Sequence, residues 1–370
     1  MGSLNRIEIR GFKSIREMSL TLRPLNVLIG ANGVGKSNFI GAFRFLNELV
    51  NENLQLYVAR SGGVDAFLYF GRQHTDELCF NVELLRDRPG LKNAYSCTLV
   101  PSAEGAFVFA EETAYFHDTK RYRQPMDISL GIGHQETQIN QQAKSDDIVS
   151  YTRKAITSWR IYHFHDTSDR ARIKGTVEIN DNAFLRPDGS NLAAYLYWLR
   201  GKHSTSYRNI VETIRLVAPF FNDFNLTPDR LDESKIRLEW LEVGSDMYFN
   251  ANALSDGTLR FMVLATLLLQ PHAKKPTTIL LDEPELGLHP YAITILANLL
   301  KSTAVETQII VSTQSVTLVN QLDFEDIIVV DREDQQSVFR HLTDEDMGNW
   351  LDDYGLGDLW EKNVIGGRPA

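Results

Sequence analysis

Residues 30–37 read Gly-Ala-Asn-Gly-Val-Gly-Lys-Ser, a set of residue types whose joint chemistry is the cradling of a phosphate chain. Glycines let consecutive backbone N–H groups turn toward one anion, and a helix that opens directly after them presents the positive end of its dipole to the same point. Lys36 is then placed for the β- and γ-phosphates, and the Ser37 hydroxyl for Mg²⁺. Asn32, Gly33, Gly35 and Asn38 complete the candidate binding set. The elements that must position them are legible on either side. The apolar run Leu25–Ile29 predicts a strand, and the pattern over 38–50 predicts a helix. A plain glycine-rich turn would need neither the lysine nor that strand-loop-helix setting.

A second cluster follows at 277–290, Thr-Thr-Ile-Leu-Leu-Asp-Glu-Pro-Glu-Leu-Gly-Leu-His-Pro. A short apolar run ending in two acids predicts a strand buried on both faces that delivers carboxylates at its C-terminal edge. Asp282 would hold Mg²⁺ through water, and Glu283 would polarise an attacking water. Read alone, adjacent acids at a strand end could simply open a turn; the phosphate loop gives them their role. Between the two lies Ala253-Leu-Ser-Asp-Gly-Thr-Leu-Arg260, directly before the apolar helical run 261–269. In isolation Ser255 is an ordinary helix N-cap.

The order phosphate loop, Leu254-Ser255-Asp256-Gly257-Thr258, Leu281-Asp282-Glu283-Pro284, Val311-Ser312-Thr313-Gln314-Ser315 resembles the ATP-binding-cassette (ABC) arrangement of the RecF/SMC-like soluble P-loop ATPases. The opening Ile7-Glu-Ile-Arg-Gly-Phe-Lys-Ser-Ile15 is similar to the first strand of those heads. Leu185-Arg-Pro-Asp-Gly-Ser-Asn-Leu192 and the closing Leu359-Trp-Glu-Lys-Asn-Val-Ile-Gly-Gly-Arg-Pro369 resemble a group of bacterial AAA-type ATPases in that superfamily. The likeness spans the chain, while its function-bearing part is the four nucleotide motifs.

The resemblance implies a composite site, with ATP and Mg²⁺ as ligands and a homodimer on ATP binding. Two heads pack head to tail, so Ser255 and Gly257 of one subunit would contact the γ-phosphate held by Lys36 of the other. The helix opened by Ser255 is itself a second anion-binding cap. Glu283, Lys36 and Gln314 would be the catalytic residues, Ser37 and Asp282 the metal ligands. For the glutamine that watches the metal from the first lobe, the candidate is Gln73, after Tyr69-Phe-Gly-Arg72. Two departures stand out. Gln314 occupies the place where cassette ATPases often carry histidine; it can donate a hydrogen bond but cannot carry charge, which implies slow turnover with little pH dependence from that position. Asp256 stands where transporters usually have glycine, and we expect its carboxylate to point away from the phosphates.

The fold expected is α/β: an ABC-ATPase-like head with a β-rich first lobe, a mixed or parallel α/β core and a short inserted helical arm, without a long coiled coil. At 370 residues and 43% hydrophobic content the chain has core material for one such head with a substantial insertion. The division expected is 1–118 for the first part of the head with its phosphate loop, 119–234 for the insertion or helical lobe, and 235–370 for the part with the signature, the acidic strand (Walker B) and the switch residues. Runs at 7–12, 78–85, 95–100 and 106–111 predict the β-rich lobe, and the polar stretch 120–158 a mobile or partner-facing insertion. A strand at 159–164 and helices at 191–200 and 207–221 come next. From 235–241 onward strand and helix alternate through 290–301, 308–312, 316–321 and 327–331. The 219 residues from Lys36 to Ser255 hold no sustained heptad run, so long DNA-entrapping arms are excluded.

Cys79 and Cys97 lack metal-ligand spacing and read as reduced thiols of a cytoplasmic protein. Met1-Gly-Ser-Leu-Asn-Arg6 has no apolar signal core, Arg6 spoils a myristoylation pattern, and the run 261–269 is too short to span a bilayer. No membrane partner is expected. The formal charge of −10 argues against a large nucleic-acid footprint. Arg153, Lys154, Arg160, Arg170, Arg172 and Lys174, interleaved with Trp159, Tyr162, His163 and Phe164, could still line a groove for a DNA backbone; the alternative is solvated charge beside a buried strand. His163 and His165 share one strand face with Ile161 but find no further ligand, so packing suits them better than metal. Asp344, Glu345, Asp346, Asp352 and Asp353 read as helix surface. The chain shows no effector site of its own. Its expected use is therefore as an ATPase that regulates a separately encoded effector, such as a nuclease or toxin in anti-phage defence. The alternative is a RecF-like DNA-repair module whose DNA affinity is controlled by ATP binding.

Overall fold

Apolar residues at every second position of Leu78–Leu85, each of them buried, make this segment one strand of a six-stranded antiparallel sheet. Its order is Ile15–Thr21, Leu4–Phe12, Leu78–Leu85, Leu91–Pro101, Phe107–Asp118, Met126–Gly131. The computed structural model describes residues 2–144, 147–164, 166–348, 350 and 353–367; His165, Asp352, Arg368 and Pro369 lie outside them. The chain divides into two compact units. The first is Met1–Ile161, Thr277–Leu280 and Asp323–Ala370; the second is Tyr162–Pro276 and Leu281–Leu322.

In the first unit, helix Lys36–Val50 opens at the end of strand Leu25–Ile29, two residues earlier than the apolar pattern predicts. All five strand residues are buried. The helix is fastened to the antiparallel sheet by Phe45, whose ring centroid stands 5.7 Å from Phe12, 5.2 Å from Phe67 and 5.4 Å from Phe80. Each fully buried aromatic side chain contributes a few kcal/mol, about 3–5 on truncation to alanine. Beside Leu25–Ile29 runs the parallel strand Ile327–Glu333, with Ile327 opposite Val27 and Val329 opposite Ile29. The antiparallel strand Gln336–His341 follows on its far side.

The polar stretch 120–158 belongs to this unit. It supplies the sheet's sixth strand and helices Ile139–Gln142 and Ile148–Thr157. Few apolar residues do the anchoring, chiefly Ile139, Val149, Ala155 and Ile156, each nearly inaccessible. The buried carboxylate of Glu112 also accepts from the Tyr95 and Thr137 hydroxyls and the Gln138 N–H.

The second unit holds helices Leu192–Lys202, Ser204–Val217, Asp256–Leu269 and Pro290–Ala304, strand Gln308–Ser312, and a small antiparallel sheet of Phe221–Asn225, Glu239–Glu242 and Tyr248–Asn250. The helix expected over 207–221 stops at Val217. Pro219 holds the preceding Ala218 off helical geometry, at φ −126°, and Phe221 begins a strand. The single strand expected over 235–241 is two, because it changes partner. Lys235–Arg237 pairs with Thr176–Glu178, and Glu239–Glu242 pairs with Phe221–Asn225. The longest helices among the described residues have 15 residues, and none is long and apolar enough to cross a membrane.

Candidate nucleotide site

The loop 30–37 is held from a neighbouring turn and a neighbouring strand of the first unit. Ser337 N–H donates to the Ser14 carbonyl at 2.7 Å. The Ser337 hydroxyl stands 2.7 Å from Ser14 Oγ and bonds the Val34 carbonyl, while the Asn38 side-chain amide donates to Ser14 Oγ at 2.7 Å. Lys36 is almost inaccessible, and its ammonium donates to the carbonyl oxygens of Gly30 and Ala31. A cation folded onto carbonyls of its own loop, with Asn32, Gly33 and Ser37 exposed beside it, fits a site that takes a polyanion with Mg²⁺. Gly35 is the N-cap of the helix, at φ 120°, a conformation suited to glycine. Gln73 lies exposed in the turn after Gly71, where Arg72 is tied to Asp65 at 2.9 Å.

In the second unit the acids stand as the apolar run predicts. Thr278 to Leu281 are buried and Asp282 is half-buried at the strand end. The Ser312 hydroxyl donates to Asp282 Oδ1, and the Glu283 N–H to the Ser312 carbonyl at 2.9 Å. Glu283 itself sits at φ +45°, left-handed geometry uncommon for a residue with a side chain. The Gln314 side-chain amide donates to Glu283 Oε1. Beneath them lies the buried carboxylate of Glu285, whose Oε1 accepts from the Thr313 hydroxyl and, at 3.1 Å, from the Gln314 N–H. Its Oε2 is buried with no hydrogen-bond partner. Burial pushes the Glu285 carboxyl above the usual range, against the opposing pull of those donors.

The signature residues are joined to the same cluster. Ser255 caps helix Asp256–Leu269, its Oγ accepting from Thr258 N–H at 3.2 Å, and both Ser255 and Asp256 are exposed. A carboxylate in the first turn of a helix suits its dipole. Gly257 is a close approach, since a Cβ there would collide with the Gly287 carbonyl oxygen. One turn on, Arg260 donates to the Leu286 carbonyl at 2.7 Å. Thus the acids, Gln314 and the signature helix are bonded into one assembly within this unit.

Ser14, Ser337 and Glu285 are site residues that the sequence reading did not single out. Ser14 lies in Gly-Phe-Lys-Ser and Glu285 in Asp-Glu-Pro-Glu, whereas nothing near Ser337 in the sequence marks it. Of the suggested DNA-facing aromatics, Trp159 is buried against Phe43 at 5.2 Å and Tyr162 is also buried. Lys174 is largely covered and lies 4.0 Å from Asp169.

A family model described as "AAA domain, putative AbiEii toxin, Type IV TA system" matches residues 25–320. No curated protein matches the chain. Among solved structures it is similar to an Smc head bound to the C-winged helix domain of ScpA, at 16% identity and TM-score 0.62 over 95% of this chain and 99% of that one. An Smc head with an extended coiled coil, bound to the C-terminal domain of ScpA from Pyrococcus furiosus, gives 16% identity and TM-score 0.60 over 95% and 99%. The SMC head domain from Thermotoga maritima gives 15% and 0.50 over 92% and 99%. At these identities the likeness is one of fold, the SMC-head type of ATPase domain.

Proposed function

The chain belongs to the AbiEii-type family of AAA-domain ATPases, and from that premise we propose that it is a Mg-ATP-hydrolysing head that dimerises around ATP and regulates a separately encoded effector. The observation that carries this reading is the bonded set Asp282, Glu283, Glu285, Ser312 and Gln314, a strand end and a switch segment already coupled. Lys36 with the loop amides would hold the phosphates. Ser37 and Asp282 would hold Mg²⁺, with Gln73 as a further candidate; bound there, the ion would draw charge from the phosphate oxygens. Glu283 orients the attacking water and takes its proton as ADP and phosphate form, and Gln314 senses the γ-phosphate. Catalysis then rests on positioning and charge stabilisation. Ser255 and Gly257 would complete the site of a second copy.

The effector role draws on the family's description, which names a toxin of a type IV system, a fold-level analogy. The RecF-like DNA reading has less support, given a net charge of −10 and the burial of Trp159 and Tyr162. The test is the light-scattering mass of Glu283→Gln with and without Mg-ATP, alongside phosphate release. We expect a shift from monomer to dimer with hydrolysis lost. An unchanged monomer at saturating Mg-ATP would overturn the sandwich, and wild-type turnover would remove Glu283 as the base.

A further inference from the structure

Residues 365–367 pack against the phosphate loop and the strand beside it. Strand Ile327–Glu333 runs parallel beside Leu25–Ile29, so the Val330 carbonyl comes so close to Gly30, the first loop residue, that a side chain there would collide with it. Asp331, the next residue, accepts the Gly367 N–H on both carboxylate oxygens, at 2.9 and 3.2 Å. The Trp360 indole N–H donates to the Gly367 carbonyl at 3.2 Å, and Arg340 to the Ile365 carbonyl at 2.6 Å. Gly366 and Gly367 both hold φ +79°, and Gly367 is buried. A Cβ on Gly367 would stand 3.4 Å from the Gly30 Cα and 3.1 Å from a Val329 methyl. The carbonyl of the same Gly30, whose Cα the strap approaches, is an acceptor for the Lys36 ammonium.

We propose that residues 364–367 form a positioning strap for the phosphate loop, with Gly367, Asp331 and Trp360 as positioning residues that fix Gly30 and through it Lys36. The inference rests on the nucleotide reading above. Its consequence is reciprocal. A strap that favours the binding conformation of the loop is itself held more firmly when nucleotide binds, by the same free energy.

The test uses the full chain and Mg-ATP. Hydrogen exchange of the amides at 364–367 should slow about tenfold or more on saturation in the wild type, and stay unchanged in Lys36→Ala, a response that a merely structural turn would not give. Gly367→Val should weaken the affinity for a fluorescent ATP analogue at least tenfold while far-UV circular dichroism is retained, with Gly366→Ala as a milder variant and Asp331→Asn, which keeps an acceptor, closest to wild type. If the wild type binds nucleotide while strap exchange does not change and both glycine variants bind normally, the strap is overturned. If the wild type binds no nucleotide, the reading beneath it falls as well.

Discussion

The Gln314 side-chain amide donates to the carboxylate of Glu283, so the proposed base is engaged by the residue proposed to sense the γ-phosphate. An amide in this position does not titrate. We therefore expect kcat to stay within about twofold between pH 6.5 and 9, whereas Gln314→His should introduce a limb near the ordinary histidine pKa of about 6.5. Steady-state phosphate release across that range decides it; a steep wild-type profile would mean that another group controls the step. Glu283→Gln should lower kcat by about 10²–10⁴-fold.

Glu285 makes a separate prediction about stability. Its carboxyl is raised by burial, so its stabilising contribution is full below the ordinary carboxylate pKa and is lost as pH rises through the raised value. Glu285→Gln carries no such dependence. Its melting temperature relative to wild type should climb from pH 4 to pH 8, by about 2–4 °C for each kcal/mol in a unit of 150–250 residues. A difference that is flat or falls over that range would show that Glu285 is not the group responsible.

Ser255→Arg places a long cation at an exposed helix cap. Affinity of the monomer for ATP should change less than about threefold, with only the modest stability loss of a missing cap, about 1 kcal/mol, while Mg-ATP no longer produces the dimer mass in the Glu283→Gln background. Normal dimerisation of the double variant would remove Ser255 from the trans contact.

Much of the site was legible because its residue types have few other uses. Gly-Val-Gly-Lys-Ser between an apolar strand and a helical pattern, and acids closing a buried run, each predicted local structure that is present. What escaped were relationships that depend on tertiary partners. The break at Arg237 follows from a change of pairing strand, which periodicity within the segment does not encode. Ser337 braces Val34 from 303 positions away. Glu285 reads as a turn residue in Asp-Glu-Pro-Glu, and only its enclosure by Thr313 and Gln314 changes its meaning. The stop of the helix at Val217 was readable from Pro219, since the residue before proline disfavours the helical region.

The left-handed backbone of Glu283 also bears on how such a chain evolves. Any residue with a Cβ is disfavoured there by roughly 1 kcal/mol relative to glycine. Glu283→Gly should therefore abolish hydrolysis and yet melt no earlier than the wild type or than Glu283→Gln, both of which keep the strained backbone. Selection for thermal robustness alone would drift this position toward glycine. On the role proposed for Glu283, the side chain that strains this turn is the one hydrolysis needs, so rigidity and turnover pull this position in opposite directions.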